Sequence, residues 1–354
     1  MYPLAAALPM MVCLVWTAIL LLELPGSDKA RRALALFGVN VTILYTCHYL
    51  YFSNLGTWWI ECIYIFCTLA AYPLYNFYVR CLTRKGFRIS RFVFWFIPSL
   101  VLGLWCFFAG LTGKDLVRVQ MYTMLLIPVI ALANMVDANV SLQRFRRQIK
   151  NYYADVEGKT LDPILTIMVL LLIMAIITSC STLIGREHFY GSLLLFIPAI
   201  LFSVLLFAIF FVGHNTGSPL EETLLPDRPD NARLNPAAQI SLEQQKALMA
   251  RIDRQMTDNQ LFRKKGLLIS DVAEAVGSNR TYVSNCINQQ AGMTFSDYVN
   301  KKRTDYVLSL MALSQDISLT EMADKAGYSD RSSFYRSFKK ATGLSPSDFL
   351  QKKG

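Results

Sequence analysis

The chain has 354 residues, of which 54% are hydrophobic and 17% charged, with 35 Lys/Arg against 25 Asp/Glu for a net charge of +10. A typical soluble protein is about 25% charged, so an ordinary cytosolic enzyme and a disordered chain are both excluded, and the length predicts two or three domains. The charge is uneven: residues 1–213 hold 16 Lys/Arg and 9 Asp/Glu, whereas the much shorter stretch 241–354 holds 17 and 12. The first part therefore has membrane-like composition and the last part that of soluble protein.

Seven apolar runs are long enough to cross a bilayer as helices, which takes about 20 residues each. They fall near 3–23, 33–53, 58–79, 92–111, 119–136, 163–184 and 190–213. The fifth is the weakest, because Asn134 and Asp137 sit at its end; Asp137, near Arg144 and Arg147, reads as a boundary charge. The connections after spans one, three and five carry 13 Lys/Arg, and the opposite side carries Lys114, Arg118 and Arg186. The richer side belongs in the cytoplasm. This predicts a multi-pass protein of the inner (cytoplasmic) membrane, with its N-terminus outside and its C-terminal domain inside. No basic residue precedes the first span, which argues against a cleavable signal peptide. The outer connections are short, so an outside signal must enter the bundle or come from a partner.

Ionisable groups inside a bilayer are costly, and each is a candidate site. His48 and Glu61 lie near the outer ends of spans two and three, which a very short connection joins as antiparallel neighbours. They read either as an interfacial pair or as a ligand or proton sensor, since histidine changes charge near neutral pH. Trp58 and Trp59 fit an outer aromatic belt. The eight cysteines include no Cys-x-x-Cys pair, and with three histidines they offer no zinc spacing. No Gly-x-Ser-x-Gly, His-Glu-x-x-His or catalytic triad occurs, so the reading contains no enzyme, catalytic residue, metal site or cofactor. Residues 214–240 read as an acidic linker broken by Pro219, Pro226, Pro229 and Pro236.

Residues 241–354 contain an internal repeat. Asp271-Val-Ala-Glu-Ala-Val-Gly277 parallels Glu321-Met-Ala-Asp-Lys-Ala-Gly327 at an offset of 50. After one inserted residue, Val283, Ile287 and Gly292 parallel Phe334, Phe338 and Gly343. Each unit, near 268–292 and 318–343, reads as helix, turn, helix, with glycine at the turn and a Ser, Asn or Asp cap behind it. Burying Val283 with Ile287, and Phe334 with Phe338, turns outward Arg280, Thr281, Ser284, Asn285 and Asn288 in one unit. In the other it leaves Arg331, Ser332, Tyr335, Arg336 and Lys339 exposed, with Ser333 at the margin. Residues 296–313 read as a connecting helix. Tandem units with polar and basic second helices fit major-groove reading, where arginine can bond bidentately to guanine.

This segment, roughly 250–350, resembles the AraC/XylS family of transcription regulators. The second unit carries the pattern Ile317-Ser-Leu-Thr-Glu-Met-Ala-Asp-Lys-Ala-Gly-Tyr-Ser-Asp-Arg-Ser-Ser-Phe-Tyr-Arg-Ser-Phe-Lys-Lys-Ala-Thr-Gly-Leu-Ser-Pro346. The first keeps Gly292, Thr294-Phe295-Ser-Asp-Tyr298 and Lys302-Arg303, but has Ile287-Asn288 and Gln289-Gln290 where the family has an aromatic and basic pair. That departure weakens the phosphate contacts implied for the first unit. The resemblance implies that Thr281, Tyr282, Ser284 and Asn285 face DNA in one unit and Arg331, Ser332, Ser333 and Arg336 in the other. Lys339 and Lys340 would hold phosphate, which adds affinity more than specificity.

The expected fold is all-α: a seven-transmembrane helical bundle plus a soluble, homeodomain-like double helix-turn-helix domain. The expected function is a membrane-embedded, sequence-specific transcription regulator whose bundle senses a signal. Its partners would be duplex DNA, the lipid bilayer, RNA polymerase, a small ligand or membrane protein, and a second copy of the chain. Proteolytic release at the linker is a competing mechanism. A transporter or channel that carries an appended regulator is the competing function.

Overall fold

The computed structural model describes residues 2–84, 92–113, 116–157, 159–184, 196–216, 241–313 and 317–353. The proposed linker lies almost wholly outside these residues. The described residues are helical throughout apart from turns and one isolated antiparallel bridge between Tyr153 and Leu268. They divide into two compact units: Met1–Gln143 with Leu161–Glu222, and Arg144–Thr160 with Thr223–Gly354.

Seven of the described helices are long and apolar enough to cross a membrane, and all lie in the first unit except the end of the fifth, from Arg144 on, which belongs to the second. They are α1 (Tyr2–Leu22), α2 (Lys29–Phe52), α3 (Trp58–Thr83), α4 (Ile97–Thr112), α5 (Leu116–Tyr152), α6 (Asp162–Ile184) and α7 (Phe196–Asn215). Small residues let their backbones approach, as expected where lipid is as apolar as leucine. A Cβ on Gly38 of α2 would stand 2.7 Å from Thr17 Oγ1 of α1 and 3.3 Å from a ring carbon of Phe210 of α7. A second cluster joins Ile65 and Leu69 of α3, Leu102 and Cys106 of α4, Met124 and Ile127 of α5, and Ala175 of α6. Large apolar side chains such as Leu100, Leu104, Phe108, Val129, Ile173 and Phe207 point outward. That is the arrangement a hydrocarbon solvent favours and water does not.

The fifth helix extends beyond the fifth apolar run. It does not stop near Asn134 and Asp137 but continues to Tyr152, about 55 Å of helix at 1.5 Å per residue. At the end of the apolar run it carries a polar ladder with α3. Arg80 bonds both oxygens of Asp137, Asn76 Nδ2 donates to Asp137 (2.9 Å) and to Asn134 Oδ1 (3.1 Å), and Thr83 and Ser141 share a 2.8 Å hydrogen bond. Asp137, at the end of the apolar run, is thus a partner of Arg80.

In the second unit, α8 (Leu242–Thr257) opens with a reciprocal cap: Ser241 Oγ accepts from the Gln244 N–H and Gln244 Oε1 from the Ser241 N–H. It buries Leu248, Ile252 and Met256, one per turn. The repeat then forms α9 (Ile269–Ala275) and α10 (Arg280–Cys286), the connecting helix α11 (Phe295–Leu313), and α12 (Leu319–Lys325) and α13 (Arg331–Thr342), before a final α14 (Pro346–Lys353). Each half has its own core. Phe295, Tyr298 and Val299 of α11 pack with α8, α9 and α10, while Val307 and Met311 pack with α12 and α13. The connecting helix is therefore shared by both cores.

Candidate nucleic-acid interface

In the first unit, Ile269, Val272 and Ala273 bury one face of α9. Gly277, at φ 62°, turns the chain, with the Ser278 N–H donating to the Ala273 carbonyl at 2.8 Å. Left-handed backbone of this kind favours glycine. Asn279 caps α10, its Oδ1 accepting from the Tyr282 N–H at 2.8 Å. Val283, Cys286 and Ile287 then face the core, and a π-type turn over Ile287–Ala291 ends the helix. This leaves Thr281 and Asn285 exposed and Arg280, Tyr282 and Ser284 half-buried. The Arg280 guanidinium stands 6.0 Å from the centre of the Tyr152 ring.

The second unit repeats this plan with stronger parts. Ser318 caps α12, Met322, Ala323 and Ala326 are buried, and Gly327 turns at φ 83°. A Cβ on Gly327 would lie 2.2 Å from the Arg263 carbonyl oxygen, so the turn requires glycine for space as well as for φ. Asp330 caps α13, its Oδ1 accepting from the Ser333 N–H at 2.7 Å. Phe334 and Phe338 are fully buried. Four cations stand on the outer face or near it, Arg331, Arg336, Lys339 and Lys340, together with Ser332 and a half-buried Tyr335. Ser333 is turned inward and buried. Arg331 donates to Tyr335 Oη at 2.9 Å, and Tyr335 Oη lies 3.2 Å from Ser347 Oγ. These two hydrogen bonds, the Ser347 one first, hold the Tyr335 phenol below its ordinary value.

Two of those cations have carboxylate partners. Lys340 Nζ lies 2.6 Å from Asp297 Oδ1. Burial works to raise the Asp297 carboxyl, but the hydrogen bond and charge of Lys340, with Thr294, outweigh it and hold it below the ordinary range. Arg336 Nη2 lies 2.5 Å from Glu157 Oε2. Partial burial, and then the nearby Asp330 carboxylate, keep the Glu157 carboxyl above its ordinary value against the pull of Arg336.

Glu157 belongs to a segment that sequence reasoning treated only as a basic topological loop. The segment is built into the domain. Ala154 is fully buried, its N–H donates to the Leu267 carbonyl at 3.0 Å, and its carbonyl accepts from Ser296 Oγ at 2.8 Å. Asp155 takes Arg303 Nη1 at 2.6 Å, Ser329 Oγ at 2.6 Å and the Gly266 N–H at 3.2 Å. Arg303, fully buried, also donates to the carbonyls of Phe262 and Lys264. One carboxylate thus ties the entry to the first unit, the connecting helix and the turn of the second. The available signal was small: Asp155 and Glu157 are the two acids in an otherwise basic stretch from 138 to 161.

In the first unit of the chain, His48 and Glu61 line one small cavity of about 10 Å³ with Cys47, Tyr51, Gly56, Thr57, Ile60 and Tyr64. That is room for about one water. Glu61 Oε1 accepts from Gln120 Nε2 of α5 at 2.7 Å, and the His48 ring stacks on Tyr64, 5.9 Å between centres.

Residues 272–352 match the family model of a helix-turn-helix domain. Among curated proteins, the chain is 35% identical over 77 residues to the transcriptional regulatory protein YesN of Bacillus subtilis (strain 168), covering 22% of this chain and 21% of that one. It is 31% identical over 87 residues to the HTH-type transcriptional regulator YtdP of the same organism, covering 25% of this chain and 11% of that one. It is 31% identical over 83 residues to the transcriptional regulatory protein HptR of Staphylococcus aureus (strain NCTC 8325 / PS 47), covering 23% and 32%. The similarity therefore spans a third or less of each relative. No solved structure matches the chain significantly.

Proposed function

We propose, on the premise that residues 272–352 are a helix-turn-helix domain of the AraC type, that the chain is a sequence-specific, DNA-binding transcription regulator held in a membrane by its own seven helices. The observation that carries this reading is a single chain with both parts: seven helices of spanning length and apolarity, and tandem units whose second helices turn polar and basic side chains outward. Recognition helices α10 and α13 would each enter a major-groove segment, with Thr281, Tyr282, Ser284 and Asn285 on one and Arg331, Ser332, Tyr335 and Arg336 on the other. Arg280 flanks the first of these sets, and Ser333 contributes through the fold of α13. Lys339, and Lys340 once it exchanges Asp297 for phosphate, add sequence-independent affinity.

The positive-inside rule supports an inner-membrane protein with the N-terminus outside and the DNA-binding domain in the cytoplasm, where DNA is. His48 and Glu61 are proposed as the sensing pair. A cavity that holds one water favours a proton or a very small ligand as the signal, unless the bundle opens. A two-state bundle would need a signal preference of about 5.5 kcal/mol to move a 1:99 equilibrium to 99:1. Membrane fractionation of expressing cells tests the anchoring: the chain should sediment with the membranes, and a soluble full-length chain would contradict it. Inverted vesicles from expressing cells should retain duplex DNA added from the cytoplasmic face, and R331A/R336A vesicles should not. DNA retention by a soluble fragment, with none on the vesicles, would favour proteolytic release instead. Equal retention by both vesicle types would contradict the recognition assignment.

A further inference from the structure

The end of α5 and the segment that follows it meet both recognition helices of the same compact unit. Tyr152 lies under Arg280 at the start of α10, and Glu157 sits on Arg336 of α13, next to the Asp330 cap. The two contacts differ in kind from the anchor between them. Asp155 and Ala154 are buried and multiply bonded, whereas Glu157 is 37% exposed and Arg336 62% exposed. A fixed acid thus carries an adjustable one, two residues along, to the outer face of the second recognition helix.

We propose that residues 153–157 are an intramolecular competitor for DNA: Asp155 anchors the segment, and the Glu157 carboxylate occupies the guanidinium of Arg336 that a base edge or phosphate would take. This rests on the regulator reading above. Both ligands are oxygen acceptors for the same forked donor, so they exclude one another. The segment is covalently continuous with α5 on one side and α6 on the other, so a rearrangement of either helix reaches Glu157 through the chain. The exposed pair is weak, and its release is expected to change affinity by a small factor rather than act as an absolute block.

The test uses the full chain in nanodiscs of phosphatidylethanolamine and phosphatidylglycerol. The probe is the duplex that the wild-type or variant chain enriches from a random 40-base-pair library. E157Q should bind that duplex about two- to five-fold more tightly than wild type. E243Q, which removes the same charge from exposed α8, should bind as wild type does. In an R336A background, E157Q should gain nothing. Hydrogen exchange provides a second reading that tolerates a poorly behaved variant: in the wild-type chain, amides 156–160 should exchange faster once the duplex is bound. E157Q binding no tighter than wild type, its gain persisting in R336A, or exchange at 156–160 unchanged by DNA would each overturn the proposal. Failure of every variant to enrich any duplex would instead overturn the regulator reading, and this proposal with it.

Discussion

The two helix-turn-helix units have one plan and unequal equipment. In the first, the recognition helix runs seven residues before a π-type turn and has one arginine, half-buried against Tyr152. In the second, it runs twelve residues on two fully buried phenylalanines and presents Arg331, Arg336, Lys339 and Lys340. The contrast teaches that a repeated fold does not repeat its electrostatics. Hydrophobic spacing sets the frame in both, while the exposed cations, which we propose supply affinity and guanine reading, are concentrated in one. The unit richer in cations is restrained by carboxylates, Asp297 on Lys340 and Glu157 on Arg336.

The comparison can be broken most severely at Arg303, where both units meet. R303M leaves Asp155 buried without its cation, and the expected cost is about 3–5 kcal/mol. Hydrogen exchange on the full chain should show protection lost in α9–α10 and α12–α13 together. Loss in one unit alone would mean that the units are held independently.

The two turns offer the next contrast. G277A has open space and bears only the left-handed backbone cost of about 1–2 kcal/mol. G327A adds a clash with the Arg263 carbonyl and should cost about 1–3 kcal/mol more. Equal losses of exchange protection in the two variants would contradict the packing described for the second turn.

Recognition separates the units directly. R331A/R336A should weaken binding to the enriched duplex by about 2–4 kcal/mol, at about 1–3 kcal/mol per good base contact. T281A/N285A should cost less, and a larger loss in that variant would reverse the ranking of the units. The smallest effect is on salt dependence: K339A should lower the slope of log K against log salt by about 1. K340A should lower it less, because Lys340 must first leave Asp297.

Much of this was legible in the sequence, for a physical reason. Val283 with Ile287, and Phe334 with Phe338, are four residues apart, and local periodicity identifies a buried helical face without knowledge of its partner. Gly277 and Gly327 marked their turns in the same local way. The seven apolar runs likewise placed the seven long helices. What was not legible depends on partners far along the chain. The pairing of Asp137 with Arg80 was not legible because the two are 57 positions apart. Asp155 gave no sign of belonging to the DNA-binding unit because its partner Arg303 is 148 positions away. The positive charges around it carried a topological meaning that concealed its structural one. The α8 helix was missed for a different reason: its apolar positions are few, and its cap only makes sense once the helix is assumed.

We propose that a protein anchored by its own helices reads DNA through α13, and mapping the DNA crosslinked to the full chain in cells, with and without R331A/R336A, puts this to the test. The wild type should occupy discrete sites, recovered with the membrane fraction, and the double variant should lose them at equal membrane abundance. The same sites occupied to the same extent by both proteins would contradict it.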